Sequence, residues 1–88
     1  MVFEMYKLIF EKKVLNDLNK VDNLLKSRVW KKLQECKENP FRFFEKLVER
    51  EGFKLRIGDW RIIADIDASE KIIHVLKFDH RKNIYDKH

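Results

Sequence analysis

The chain is short of cysteine, proline and glycine: one Cys, one Pro and two Gly among 88 residues. It also has no apolar run approaching the ~18 residues that a membrane-spanning helix requires. Cys36 alone can build neither a disulfide framework nor a multi-cysteine zinc site, so a reducing interior is the natural compartment. The opening MVFEMYKLIFEKK lacks a basic start followed by a long apolar stretch, which makes secretion unexpected and a cytoplasmic location the default. Few Gly and Pro beside 44% apolar residues exclude a low-complexity or disordered chain. No internal repeat or linker divides it, so residues 1–88 are expected to form a single domain around one core.

Charge is abundant. Twenty Lys and Arg stand against fifteen Asp and Glu, a formal net charge of +5. Such an excess favours a polyanionic or acidic partner. Dense Lys and Glu also serve stability in proteins from hot environments, so composition alone does not decide between the two.

The periodicity changes along the chain. MYKLIF is short, aromatic and alternating, which predicts a first strand. From Glu11 the apolar residues Val14, Leu18, Val21, Leu25, Val29, Leu33 and Cys36 recur at steps of three and four, which predicts a helical hairpin over residues 11–38. Asp22 and Asn23 mark the break, since either can cap a second helix. Asn39-Pro40 ends the helical region. FRFFEKLVEREG reads as an irregular connection anchored by Phe41, Phe43 and Phe44, with Gly52 turning into the next strand.

FKLRI, Gly58-Asp59 and WRIIADI form a β-hairpin with a tight primed turn. DASEK makes another turn and IIHVLKF a last strand. The layout is α+β, in the order βααβββ: an antiparallel meander packed on one face against two N-terminal helices.

The hairpin register sets Ile57 opposite Trp60, Arg56 opposite Arg61, Leu55 opposite Ile62 and Phe53 opposite Ala64. One face then holds Phe53, Leu55, Ile57, Trp60, Ile62, Ala64 and Ile66; the other holds Lys54, Arg56, Arg61, Ile63 and Asp65. Two arginines facing each other cost a sheet pair about 0.2–1 kcal/mol. The bland explanation is that Asp59 or Asp65 neutralises them, or that they splay into water. The functional one is an anion socket, because a guanidinium fork holds phosphate oxygens two at a time. Crowding by cations disfavours a protonated Lys54 and so suits it to accept a proton.

Beyond the last strand, FDHRKNIY adds His80, Arg81 and Tyr85. Lys77 and Asp79 look wetter than Leu76 and Phe78, and continuing that alternation carries Arg81 to the cationic face. Only one of the adjacent His80 and Arg81 would face the socket. His74, among apolar residues, reads as a hydrogen-bonded histidine on the core face. Cys36 and three unevenly spaced histidines do not suggest a metal site. Lys12, Lys13, Lys31 and Lys32 read as a solvated helix face that can also steer a polyanion.

With KL at 46–47, FKLRIGDWRIIADI at 53–66 and FDHRKNIY at 78–85 behind a βαα front half ending in ENP, the chain resembles the RelE/ParE superfamily of toxins over nearly its full length. The resemblance to the RelE branch implies the toxin of a type II toxin-antitoxin pair. Such a toxin is an endoribonuclease that enters the ribosomal A site and cuts mRNA without a metal or other cofactor, the 2′-hydroxyl attacking its own adjacent phosphate. The family's basic cluster and aromatic residue align with Lys54, Arg56, Arg61, Arg81 and Tyr85, with His80 sharing the leaving-oxygen role with Arg81 and Lys77 among the RNA contacts. RelE-like chains often carry two lysines where this one has Lys54 and Arg56, which leaves Lys54 as the sole lysine candidate for the proton acceptor. The resemblance also implies a RelB-like antitoxin, laid as a partly acidic segment over the basic surface, with the ribosome and mRNA as the other partners. The rival expectation is a ParE-like toxin that binds DNA gyrase and needs no proton-transfer residues; a plain RNA-binding module is a third.

Overall fold

The structure is a computed structural model and describes residues 4–48 and 50–80. In chain order it contains β1 (Lys7–Phe10), α1 (Lys12–Asn19), α2 (Asn23–Cys36), a 3-10 turn at Pro40–Arg42, β2 (Glu45–Lys46), β3 (Phe53–Ile57), β4 (Trp60–Asp67) and β5 (Ile72–His80). The expected α+β class holds, and the expected elements follow in their expected order with one strand more, β2; the sheet has strand order β1-β5-β4-β3-β2.

The helices form where the apolar spacing predicts them. Val14 and Leu18 of α1 and Val29, Leu33 and Cys36 of α2 are buried, and they join Leu55, Ile57, Ile62, Ala64, Ile73, Val75 and Phe78 of the sheet in one core. Fully burying an aliphatic side chain of this kind contributes about 1.5–3 kcal/mol. Asp22 caps α2, its carboxylate accepting from the Leu25 amide at 2.9 Å. Glu11 stands at the α1 N-cap without a side-chain cap bond, and its carboxylate instead meets His74 Nε2 at 2.7 Å. Helix is impossible past Asn39, which is extended (φ −153°, ψ 90°) ahead of Pro40.

The β3–β4 hairpin has the expected register at every pair from Phe53↔Ala64 to Ile57↔Trp60. Gly58 takes φ 60° while Asp59 keeps a negative φ, the signs a primed turn with glycine first demands. At the β4–β5 turn the Asp67 carboxylate accepts from the amides of Ser69 (3.0 Å) and Glu70 (2.9 Å) and from the Ser69 hydroxyl (3.0 Å). Lys71 then closes the turn at φ 58°.

Three features depart from the simple meander. β1 lies parallel to β5, Lys7 against Ile72 through Phe10 against Val75, so the sheet is mixed. The connection read as irregular contains β2, which pairs Glu45 with Lys54 and Lys46 with Phe53. Of its aromatic cluster, Phe44 is buried and Phe43 packs on the core, while Phe41 stays 46% exposed with edge contacts to Tyr6 and Phe53.

The third departure corrects the expected placement of His74. The β4–β5 register shifts between Ile63, which pairs with Lys77, and Ala64, which pairs with Val75, so Leu76 is an extra residue on β5. One inserted residue reverses the faces of everything before it. Ile73 and Val75 therefore point to the helices and are 0% exposed, while His74 turns to the outer face opposite Asp65 and Ile9. It is still a hydrogen-bonded histidine, through Glu11. Among the described residues no helix is long and apolar enough to cross a membrane.

Candidate nucleic-acid interface

With the helices on one face, the other face of the sheet is free to carry chemistry. Register arranges it in rungs. Arg56, Arg61 and Asp79 occupy one rung, and Glu45, Lys54, Ile63 and Lys77 the next. Beyond the bulge come Asp65 with His74, and then Asp67 with Ile72. The hairpin-tip half of this face thus carries four cations, Lys54, Arg56, Arg61 and Lys77, against two carboxylates, Glu45 and Asp79, while the half beyond the bulge carries Asp65 and Asp67.

Arg56 is exposed and Arg61 half-buried, facing each other as the alternation predicts. Neither Asp59 nor Asp65 forms an ion pair among the described residues, so the bland explanation through those two carboxylates does not apply. The carboxylate that shares a rung with Arg61 is Asp79. Lys54 is half-buried, its Nζ 4.0 Å from the Glu45 carboxylate. Phe43, Glu45, Lys54 and Arg56 line an open hollow of about 330 Å³. Lys77 is exposed on the same face, next to Ile63 in register.

His80 lies across the sheet from this cluster. It pairs with Trp60, its ring 5.1 Å from and perpendicular to the indole, which stacks on Phe78 at 4.6 Å. Arg81 and Tyr85 lie outside the described residues. The structure therefore brings Lys54, Arg56, Arg61 and Lys77 together and sets His80 on the other face.

Sequence reasoning missed Glu45 and Phe43 beside Lys54: Glu45 lies in a strand of two residues, too short for a period to show, and Phe43 at the end of the 3-10 turn before it. Cys36 takes no part: burial pushes its thiol up to about 11, against the pull of nearby Lys32 and with the help of Glu35. It is an inert packing group at neutral pH. Among the described residues no three His, Cys, Asp or Glu side chains gather where a metal ion could be held.

A family model described as the ParE toxin of type II toxin-antitoxin systems matches residues 8–85. No curated protein matches. Among solved structures, the RelBE2 toxin-antitoxin complex of Mycobacterium tuberculosis aligns at 26% identity with a TM-score of 0.77, over 88% of this chain and 99% of that one. The archaeal RelE-RelB complex of Pyrococcus horikoshii aligns at 20% identity and TM-score 0.74, over 88% and 96%. The intact RelBE complex of E. coli aligns at 18% and 0.73, over 85% and 95%. The last two likenesses, at low identity, are likenesses of fold.

Proposed function

Given that the chain belongs to the ParE toxin family of type II toxin-antitoxin systems, within the RelE/ParE superfamily, we propose that this toxin is a metal-independent, ribosome-dependent endoribonuclease that cuts mRNA in the A site, in the cytoplasm. The observation that carries the reading is the facing Arg56–Arg61 pair on the sheet's outer face, with Lys54 and Lys77 on the adjoining rung. A phosphate between the guanidinium groups would turn their repulsion into binding.

In the proposed reaction the 2′-oxygen of one nucleotide attacks the adjacent phosphorus and gives up its proton, the bond from phosphorus to the 5′-oxygen breaks, and that oxygen is protonated. A 2′,3′-cyclic phosphate and a free 5′-hydroxyl are left. Arg56 and Arg61 would hold the non-bridging oxygens as negative charge builds on them, a contribution of the kind oxyanion donors make. Lys54 would contact the phosphate or accept the 2′ proton, and Lys77 would hold the backbone. Arg81 or His80 would serve the leaving oxygen, and Tyr85 would stack a base to fix the line of attack. With His80 on the Trp60 side of the sheet, Arg81 is the favoured member of that pair.

The partner is proposed to be a RelB-like antitoxin whose acidic, amphipathic segment covers the basic surface. The similar solved structures supporting this are themselves antitoxin–toxin complexes. The second reading, a gyrase inhibitor, is favoured by the ParE description of the matching family. Incubating the protein with mRNA-programmed ribosomes and mapping the ends separates the two. Cuts that appear only on ribosomes and vanish in Arg61→Ala support the nuclease. Inhibited supercoiling by gyrase, with intact mRNA, supports the alternative.

A further inference from the structure

The sheet has two edges, and the chain treats them differently. The β2 edge is two residues long and charged, Glu45 and Lys46, which blunts it against pairing with another strand. The β1 edge is not blunted in this way. The Lys7 and Glu11 amides donate to the Lys71 and Val75 carbonyls on the β5 side, so the N–H and C=O groups of Leu8 and Phe10 point the other way, out of the sheet edge. At Tyr6 that outer side is closed, because its amide donates to the Lys37 carbonyl at the end of α2 at 2.7 Å. At Leu8 and Phe10 it is open: neither backbone has a hydrogen-bond partner there among the described residues.

The side chains at this edge are equally uncovered. Ile9, in the middle of the strand, is 45% exposed and Met5 48%. Between the edge and α2, Leu8, Phe10, Trp30 and Gln34 line an open hollow of about 530 Å³, with the Phe10 and Trp30 rings 5.1 Å apart.

We propose that this edge is a dimer interface, at which β1 of a second copy of the chain pairs antiparallel with β1 about a two-fold axis at Ile9. The inference does not rest on the ribonuclease reading. In that register three kinds of rung match. Leu8 faces Phe10 of the second copy, and each such pair exchanges both of its outward hydrogen bonds. Ile9 faces its own counterpart in the non-bonded pair between them, where side chains come closest. Lys7 faces Glu11 of the second copy, opposite charges on the outer face. Glu11 is available for this, since its side chain stays half exposed while it meets His74. Neighbouring registers do not match. An axis at Leu8 sets Lys7 against Ile9, and one at Phe10 sets Ile9 against Glu11. An axis between two residues sets groups already bonded to β5 against free ones. A two-fold interface demands a surface that complements itself, which this register supplies and which marks a second copy as the occupant. Beneath the joined strands the two hollows meet and close Phe10 and Trp30 from water. Arg56 and Arg61 lie toward the other edge, on β3 and β4, so pairing leaves them open.

The test is sedimentation velocity of the purified full chain over a range of concentrations, with the melting temperature as the check on folding. Wild-type protein should pass from monomer to dimer. Ile9→Lys puts two ammonium groups on the axis at an exposed position, and should weaken dimerisation by about tenfold or more without lowering the melting temperature. Lys7→Glu alone should weaken it too, and the exchange Lys7→Glu/Glu11→Lys should restore it. Ile9→Cys decides independently of that exchange. Facing Cα atoms of a non-bonded pair lie about 4.5 Å apart, within disulfide reach, so mild oxidation should link the dimer covalently. Cys36 is buried and should not compete. A monomer at every concentration would overturn the proposal, as would a dimer indifferent to Ile9→Lys or an Ile9→Cys dimer that does not cross-link. So would a folded exchange variant that stays monomeric. Wild-type protein that remains a monomer alone but binds an added strand-forming peptide, and loses it in Ile9→Lys, would also overturn it and give the edge to a different chain.

Discussion

The two faces of the sheet obey different rules although the same strands build both. Toward the helices, Ile62, Ala64, Ile73 and Val75 are at most 1% exposed, each position filled by a residue that packing favours. Away from them, Arg56 faces Arg61, with Asp79 on the other side of Arg61, a like-charge pairing that packing does not ask for. The inner face therefore reports what folding needs, and the outer face what folding merely tolerates. A second contrast lies within the outer face. The hairpin-tip half sets Lys54, Arg56, Arg61 and Lys77 against Glu45 and Asp79, an excess of cations, whereas the half beyond the bulge sets Asp65, Asp67 and Glu11 against Lys7, an excess of carboxylates. A polyanion is attracted to the first half and repelled by the second, which gives the surface a direction.

Adjacent residues offer the hardest test of the contrast between faces. Ile62→Ala should cost about 2–5 kcal/mol of unfolding free energy, the range for truncating a buried isoleucine, as measured by urea titration. A loss under about 1 kcal/mol would mean that the inner face is not the core. Arg61→Ala, one residue along, should cost clearly less unfolding free energy than Ile62→Ala yet slow ribosome-dependent cleavage by about 10²–10³-fold, the usual consequence of losing a transition-state charge donor. If both variants lost stability alike, the faces would not differ as described.

Arg56→Gln sharpens the point further, because it should act in opposite directions on the two properties. Removing one of the facing cations should raise stability by about 0.2–1 kcal/mol while cleavage slows. A variant that was both less stable and less active would show Arg56 to be structural.

The smallest effect belongs to the acidic end. The Glu70 amide foremost, with Ser69, holds the Asp67 carboxylate below its ordinary value of 3.8. A depressed carboxylate stabilises the fold fully above its unfolded-state value and loses that contribution as pH falls through the folded-state value. Asp67→Asn should therefore lower stability slightly at neutral pH and hardly at all in strong acid, which flattens the acid limb of a stability-versus-pH curve below about pH 4. An acid limb no different from wild type would remove Asp67 from the account of the turn.

Much of this was legible from local pattern. Period two across FKLRIGDWRIIADI placed each hairpin pair, and the three-four spacing from Val14 to Cys36 with Asp22 at the break placed both helices, because those signals repeat over many residues. β2 was not legible, since Glu45 and Lys46 become a strand only by lying against Lys54 and Phe53. Nor was the face of His74, because one extra residue at Leu76 leaves the apolar run IIHVL looking unbroken while reversing half of it. Arg81 and Tyr85, singled out from FDHRKNIY, lie outside the described residues, so their part in the site rests on the motif.

The amino-acid order by itself determined the helices, the hairpin, the opposed arginines and the one-sided core, all of which depend on neighbours a few positions apart. Tertiary structure alone decided the parallel docking of β1 on β5, the bulge that turns His74 toward Glu11, the placing of Glu45 beside Lys54, and the meeting of Arg28 with the hairpin tip. These join residues far apart in the chain, and whether such groups meet is settled by how whole elements pack, about which a local pattern carries no information.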